Sequence, residues 1–146
     1  MNVGEWAAPI SHSCPIGDGP PAPGVERECH TVGIGPVAPG TVRERLTAFD
    51  AKRRALSYEA AGGMPTFIAE AVNRWSVEEA GPHRSQVRMH ATFTLRGPIR
   101  LITPLIRWQM RRETRLVLLD LKHYVEHGTP HPRKVATMSA RLAGNA

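Results

Sequence analysis

A series of strand patterns followed by one long helix pattern decides the fold of this chain. Two strands read TVRERLTAF (residues 41–49) and VRMHATFTL (residues 87–95), in which apolar and polar side chains alternate. The helix reads PLIRWQMRRETRLVLLDLKHYVEH (residues 104–127), and its apolar residues recur at spacings of three, four or seven. A sheet that packs against one long helix leaves an apolar hollow between the two. This layout therefore indicates binding of an apolar molecule.

Glycine and proline separate these patterns from the rest of the chain. Residues 1–24 are rich in both, which excludes a continuous helix or a central strand there. Residues 25–32 are predicted as the first strand, and residues 54–60 as a strand that pairs back on residues 41–49 in a hairpin. A further strand is predicted over residues 66–77, although its periodicity leaves open which face is buried.

The length and the helix end set the expected domain boundary. A chain of 146 residues is long enough for one domain with a core but not for two. Gly128 ends the long helix and is followed by Pro130 and Pro132. We therefore expect one domain over residues 1–128 and a mobile tail over residues 129–146.

Charge and composition narrow the classes of partner and compartment. The 19 basic and 13 acidic residues give a net charge of +6, but the basic residues are scattered over strands and helix. Aromatic residues make up 5% of the chain and do not alternate with them, so nucleic-acid binding is not expected. No apolar stretch reaches the ~20 residues of a membrane span, which predicts no stable membrane insertion. Two cysteines without a close pair, and no secretory signal, predict a cytoplasmic protein.

The sequence shows no motif for a metal or a cofactor. The residues that could bind zinc lack the spacing of a zinc site: His12, Cys14, Cys29 and His30. Two glycines at positions 33 and 35 are followed by Pro36 and Pro39, and prolines lack the amide donors that a phosphate-binding loop needs. We therefore expect neither a metal nor a cofactor.

A series of short motifs runs through the chain in order: Trp6 with Ser13-Cys14, Gly24-Val-Glu-Arg27, Glu44-Arg-Leu46 with Asp50, Tyr58, Gly62-Gly63 and Leu119-Asp-Leu-Lys122. In this order the chain resembles the SRPBCC or START-like superfamily, and within it the bacterial polyketide cyclase/dehydrase and lipid-transport group. The resemblance implies an α+β helix-grip fold, in which a curved antiparallel sheet packs on one long C-terminal helix. It also implies a cavity under that helix, with an entrance near residues 33–40 and 61–65.

Two departures from the family pattern change what the resemblance implies. Family members normally open with a strand and a helix before the region that matches Trp6, so the domain is expected to be N-terminally incomplete here. Either the start lies upstream, or the sheet exposes an edge. Plant abscisic-acid receptors share a similar motif spacing, but Met64-Pro65 replaces the latch that follows their two glycines. Hormone reception is therefore not implied.

Glu44 is the polar exception on a strand face that otherwise carries Val42 and Leu46. A lone buried carboxylate is unfavourable, so Glu44 should be paired, protonated or near water. Arg27 on the preceding predicted strand faces the same side if Cys29 points inward, and the resemblance points to the same positions. We therefore predict an Arg27–Glu44 pair, either as an ion pair that specifies the fold or as a polar anchor for an apolar ligand.

Three further residues have two interpretations each. Side chains of the strand over residues 66–77 alternate between two faces, one with Ile68, Glu70 and Val72 and the other with Trp75. Glu70 joins Glu44 if the first face points inward, and it is a surface glutamate if the second face does so. Tyr58 is either a core aromatic residue or a hydrogen-bond partner of a ligand. Asp120 lies in an apolar helix turn, where it either anchors a polar network in the cavity or sits at the helix edge.

The leading functional hypothesis is binding of a small hydrophobic ligand, of lipid, polyketide or isoprenoid type, between sheet and helix. The residues expected to contact this ligand are Arg27, Val42, Glu44, Tyr58, Phe67, Met89, Phe93, Val117, Asp120 and Leu121. The alternative is a polyketide cyclase or dehydratase in which Glu44 or Glu70 acts as general acid and base while Tyr58 stabilises an enolate. A third hypothesis is an interaction protein whose arginine-rich helix face binds an anionic partner.

Overall fold

The computed structural model describes residues 2–33 and 38–144, which form one antiparallel sheet and several helices. Six strands pair in chain order: β1 (Ile10–Ile16), β2 (Glu26–Thr31), β3 (Gly40–Asp50), β4 (Ala55–Gly62), β5 (Ile68–Gly81) and β6 (Arg84–Leu95). The helices are α1 (Val3–Trp6), a 3-10 turn (Pro98–Ile102), the long α2 (Thr103–His127) and α3 (Pro132–Gly144). The predicted α+β class, a sheet with one long C-terminal helix, is confirmed. No helix in the described ranges is long and apolar enough to cross a membrane.

The predicted hairpin joins β3 and β4, and its register places Leu46 opposite Tyr58. At the open end of this hairpin, Gly63 has a φ of +79°. A Cβ atom at Gly63 would overlap the carbonyl oxygen of Thr41. Only glycine allows both this conformation and this close approach, which explains the second of the two glycines at the end of β4.

Strand β1 is missing from the sequence prediction because proline and glycine dominate the segment around it. Residues 10–16 pair with β2, and Pro15 lies opposite Arg27. The strand forms an edge of the sheet, where a proline without an N–H donor is tolerated. The strand predicted over residues 25–32 is therefore the second strand of the sheet and not the first.

The structure answers which face of β5 is buried. Trp75 lies opposite Met89 and packs against the core, whereas Glu70 is exposed. Because side chains alternate along a strand, Ala71 and Trp75 face α2 and Glu70 faces outward. Glu70 is therefore a surface glutamate that does not join Glu44, which is the second of its two interpretations.

The core lies where the N-terminal segment, the second half of α2 and the sheet meet. Trp6, Ala7 and Leu121 are buried together there. Partly buried residues pack around them: Val3, Ile10, Trp75, Val87, Val117 and Tyr124. Leu121 and Val117 were expected to line a ligand cavity, but the segment around Trp6 occupies the space next to them. Both are core residues in this structure.

A buried group of charges holds α3 to α2 and to the N-terminal segment. We call these charged residues, together with the backbone of Ala8, the Asp120 cluster: Ala8, Asp120, Arg133 and Lys134. Asp120 is fully buried and accepts hydrogen bonds from the Ala8 backbone N at 2.9 Å and from Arg133 Nη2 at 2.5 Å. Lys134 is buried and donates to the carbonyl oxygen of Ile10. Residues 132–144 thus form an anchored helix where a mobile tail was expected. Asp120 has no exposed surface in this cluster, and its predicted ligand contact stays a prediction.

Candidate functional site

The centre of the candidate site is an ion pair between two neighbouring strands. Arg27 on β2 lies opposite Glu44 on β3, and its Nε atom is 2.6 Å from Glu44 Oε2. The Glu44 side chain is 16% exposed and that of Arg27 is 35% exposed, so the pair is shielded but reachable. Burial lowers the pKa of Arg27, but the charge and hydrogen bond of Glu44, together with Tyr58 and Cys29, outweigh this effect and raise the pKa overall. The predicted pair is present in the structure.

Tyr58 and Trp75 extend this pair across β4 and β5. The Arg27 guanidinium carbon lies over the Tyr58 ring, 4.9 Å from its centroid, a cation–π geometry. Trp75 Nε1 donates a hydrogen bond to the Tyr58 hydroxyl at 3.3 Å. Burial, and then the charge of Glu44, raise the pKa of Tyr58, so this phenol stays protonated. Tyr58 can therefore donate its proton to a ligand oxygen.

Cys29 and Ser13 complete the group from the other side. The Cys29 Sγ atom lies 3.5 Å from both Glu44 Oε2 and Ser13 Oγ. Burial raises the pKa of the Cys29 thiol to about 11, and the neighbouring Glu44 carboxylate adds to the effect. We call Ser13, Arg27, Cys29, Glu44, Tyr58 and Trp75 the Arg27–Glu44 cluster. Sequence reasoning missed Ser13, because β1 was not predicted, and Trp75, because the facing of β5 was open.

The two cysteines should differ strongly in reactivity. At about pH 8 only about one Cys29 side chain in a thousand is a thiolate, and the residue is buried, whereas Cys14 is partly exposed. We expect iodoacetamide to alkylate Cys14 in the folded protein and Cys29 only after unfolding in guanidinium. Mass spectrometry of the labelled peptides measures both rates. Equal rates in the folded protein would contradict the described environment of Cys29.

Mainly apolar side chains, with the polar Asn73 between Tyr58 and Ala91, cover the rest of the sheet face that carries the Arg27–Glu44 cluster, which we call the inner face. Met89 and Phe93 lie opposite Trp75 and Ala71 and are only half-buried, and Ala91 between them is exposed. An open groove of about 520 Å³ lies beside Trp75 and Met89, and its lining includes Leu118 of α2 as well as Arg74 and His90 of the outer face. In the ranges that the structure describes, six apolar residues are buried: Trp6, Ala7, Ala8, Cys29, Leu95 and Leu121. Most of the inner face is therefore not covered by the protein itself.

The remaining predicted ligand contacts lie at the borders of the inner face. Val42 is half-buried and lies opposite Cys29, beside the Arg27–Glu44 cluster. Phe67 is also half-buried, and it precedes β5 at the end of the sheet where α2 begins. The structure thus brings Arg27, Val42, Glu44 and Tyr58 together and places Phe67, Met89 and Phe93 along the strands beside them.

The family of the chain follows from a match over most of its length. A family model described as "Polyketide cyclase / dehydrase and lipid transport" matches residues 2–126. The chain belongs to this family. No curated protein sequence matches the chain. Because the family description covers both cyclases and lipid carriers, membership alone does not separate the two functional hypotheses.

Solved structures support the fold that the family implies. Ara h 8.0201 is 15% identical, with a TM-score of 0.61 over 80% of this chain and 75% of that chain. Major latex-like protein 151 from Panax ginseng is 13% identical, with a TM-score of 0.54 over 83% of this chain and 79% of that chain. Such low identities carry the fold alone. The predicted helix-grip fold is confirmed.

Proposed function

We propose that this family member binds a small hydrophobic ligand, of lipid, polyketide or isoprenoid type, on the inner face of its sheet beneath α2. The supporting observation is the incomplete burial of that face, where Met89, Phe93 and Trp75 stay partly exposed although they point toward the helix. Protein interiors are normally close-packed, and an uncovered apolar face suits an apolar occupant. The family and the helix-grip fold are consistent with this proposal.

Affinity and selectivity come from different parts of the proposed site. Burying a fully exposed large apolar side chain is worth about 1.5–3 kcal/mol, so covering the half-buried Met89, Phe93 and Trp75 would contribute a part of this each. Tyr58 would donate a hydrogen bond to a hydroxyl or carbonyl oxygen of the ligand. The Arg27–Glu44 pair would hold the Tyr58 ring in place through the cation–π contact.

The alternative cyclase or dehydratase function is less well supported by the geometry. A general base needs a carboxylate that can accept a proton from the substrate. Glu44 Oε2 already accepts a hydrogen bond from Arg27 Nε at 2.6 Å and lies 3.5 Å from Cys29 Sγ, so this oxygen is not free to take a proton from a substrate. We therefore assign Glu44 to the polar anchor. A cytoplasmic location is part of the proposal, and it is supported by two cysteines that are both free.

Filling the inner face should abolish ligand binding without unfolding the protein. We expect Ala91→Trp to weaken binding of the apolar fluorophore anilinonaphthalene sulfonate by about tenfold or more, because the new ring occupies the exposed space between Met89 and Phe93. The matched control is Thr92→Trp, which places the same ring on the outer face of the same strand, outside the lining of the groove, and should leave binding unchanged. Fluorescence titration measures both variants.

Native mass spectrometry of the purified protein provides the second measurement. We expect wild-type protein to carry a co-purified apolar molecule, and Ala91→Trp to lack it. The absence of both fluorophore binding and a co-purified ligand in the wild type would contradict the proposal. The same holds if Ala91→Trp and Thr92→Trp bind the fluorophore equally well.

A further inference from the structure

One stretch of the chain combines a pure positive charge with exposed apolar side chains. Between Glu79 and Glu113 the sequence contains no Asp or Glu and seven arginines. The second half of this stretch forms the 3-10 turn and the first turns of α2. Large apolar residues are exposed there: Leu101 at 86%, Trp108 at 64%, Leu105 at 58% and Ile102 at 49%.

The helical period places these two kinds of side chain on one face. Successive residues of an α-helix are rotated by about 100°, so positions three, four and seven apart share a face. Leu105 and Trp108 therefore share the outer face of α2 with Arg111, Arg112 and Arg115, and the three arginines are exposed. We call these five residues, with Arg100, Leu101 and Ile102 of the 3-10 turn, the Trp108 patch.

The core of the protein does not use the Trp108 patch. The buried residues of α2 are Asp120 and Leu121, which lie in its second half, and the side chains of the first half that face the sheet are only half-buried. The patch points away from the sheet, since Leu121 and Trp108 lie on opposite sides of the helix. Exposed apolar clusters of this kind mark interaction sites.

Charge complementarity selects the kind of partner. Two copies of the chain cannot join patch to patch without bringing arginines against arginines, which is unfavourable. An anionic phospholipid surface satisfies both parts of the patch, because its phosphates pair with arginine and its acyl boundary accepts leucine and isoleucine side chains. Tryptophan is enriched at the interface between the membrane and water, at the level of the lipid headgroups.

We propose that the Trp108 patch docks the protein on the surface of anionic phospholipid membranes. Trp108, Leu101 and Leu105 lie at the level of the lipid headgroups, and Arg111 and Arg115 bind lipid phosphates. The contact is peripheral and reversible, because it is made by one helix face and a short turn. It is independent of ligand binding on the inner face, so Ala91→Trp should bind membranes as the wild type does.

Vesicle co-sedimentation tests this proposal with the full chain. We expect vesicles of equal parts phosphatidylcholine and phosphatidylglycerol to bind the protein at least about tenfold more tightly than vesicles of phosphatidylcholine alone. The double variant Arg111→Gln/Arg115→Gln should bind the anionic vesicles about thirtyfold more weakly, and Trp108→Ala about tenfold more weakly. The matched charge control is Lys52→Gln/Arg53→Gln in the β3–β4 turn, at the opposite end of the sheet from the start of α2. It should change binding less than about twofold.

Tryptophan fluorescence locates the contact directly. Anionic vesicles should shift the wild-type emission to shorter wavelength, and Trp108→Phe, which leaves Trp6 and Trp75 in place, should lose that shift. Equal binding to both vesicle types, no binding to either, or equal weakening by the control pair would overturn the proposal. The proposal would also be overturned if the wild type dimerised or retained an oligonucleotide and Trp108→Ala abolished this, because another partner would then occupy the patch. Circular dichroism verifies that each variant is folded.

Discussion

Replacing Asp120 with alanine should lower the free energy of unfolding by about 3–5 kcal/mol, the usual cost of breaking a buried ion pair from one side. The side chain is 1% exposed and accepts bonds from the Ala8 backbone N and from two nitrogens of Arg133. Its removal leaves the Ala8 N–H without an acceptor and Arg133 without its closest carboxylate. Because these partners lie in the N-terminal segment and in α3, both should detach from α2.

Urea unfolding monitored by circular dichroism measures this loss. Asp120→Asn should cost less than Asp120→Ala, since an amide oxygen can still accept from the Ala8 N–H but carries no charge. The matched control is Glu126→Ala, an exposed acid on the same helix, 4.0 Å from Lys122, which should change stability by less than about 0.5 kcal/mol. Equal losses for Asp120→Ala and Glu126→Ala would show that the Asp120 cluster does not hold the chain together.

The same cluster makes a prediction about pH with a definite sign. Burial lowers the pKa of Lys134 in the folded protein, although the charge of Asp120 acts against this shift. A folded pKa below the unfolded value means that the unfolded chain binds more protons, so stability from this group rises with pH. In Asp120→Ala the opposing charge is gone. Part of the lost stability should therefore return as the pH rises toward the ordinary lysine pKa of 10.5.

Local patterns predicted the parts of the fold that depend on one segment alone. The alternation around Glu44 and the helical spacing up to Gly128 place β3 and α2 within about two residues of their observed bounds. Strand β1 was not predicted because its segment contains Pro15 and lies in a chain region rich in proline and glycine. An edge strand tolerates such a proline, but the composition does not indicate a strand. The facing of β5 depends on its contact with the core through Trp75, which no periodicity in residues 66–77 contains.

The Asp120 cluster could not be predicted from the sequence, for a related reason. From the sequence alone, Asp120 looks like an ordinary helix residue. The structure shows that the two positively charged residues after Pro132 fold back on its carboxylate. Arg133 and Lys134 follow a proline-rich stretch that is typical of a chain terminus, which suggested a mobile tail. Only the tertiary structure brings Ile10, 124 residues away from Lys134, next to its amine.

The Arg27–Glu44 pair could be predicted because one charged residue interrupted an otherwise apolar strand face, and its role can now be tested. We expect Glu44→Ala to lower the free energy of unfolding by about 2–3 kcal/mol, less than Asp120→Ala, because Arg27 keeps partial access to water. Denaturant unfolding measures this loss. Glu59→Ala, which removes an exposed carboxylate 3.4 Å from Arg45, is the control and should cost less than about 1 kcal/mol.

The pKa of Cys29 separates a specific loss of the Glu44 charge from a general loss of packing. The Glu44 carboxylate raises the pKa of Cys29, and the Arg27 guanidinium lowers it. In Glu44→Gln, which keeps the shape of the side chain, the titration midpoint of Cys29, followed by the NMR chemical shift of its Cβ atom, should therefore move to lower pH. An unchanged midpoint would contradict the contact between these side chains. The double variant Arg27→Met/Glu44→Leu distinguishes the two roles of the pair. If it regains the stability that Glu44→Ala loses but binds the fluorophore more weakly than wild type, the pair contributes more to ligand binding than to stability.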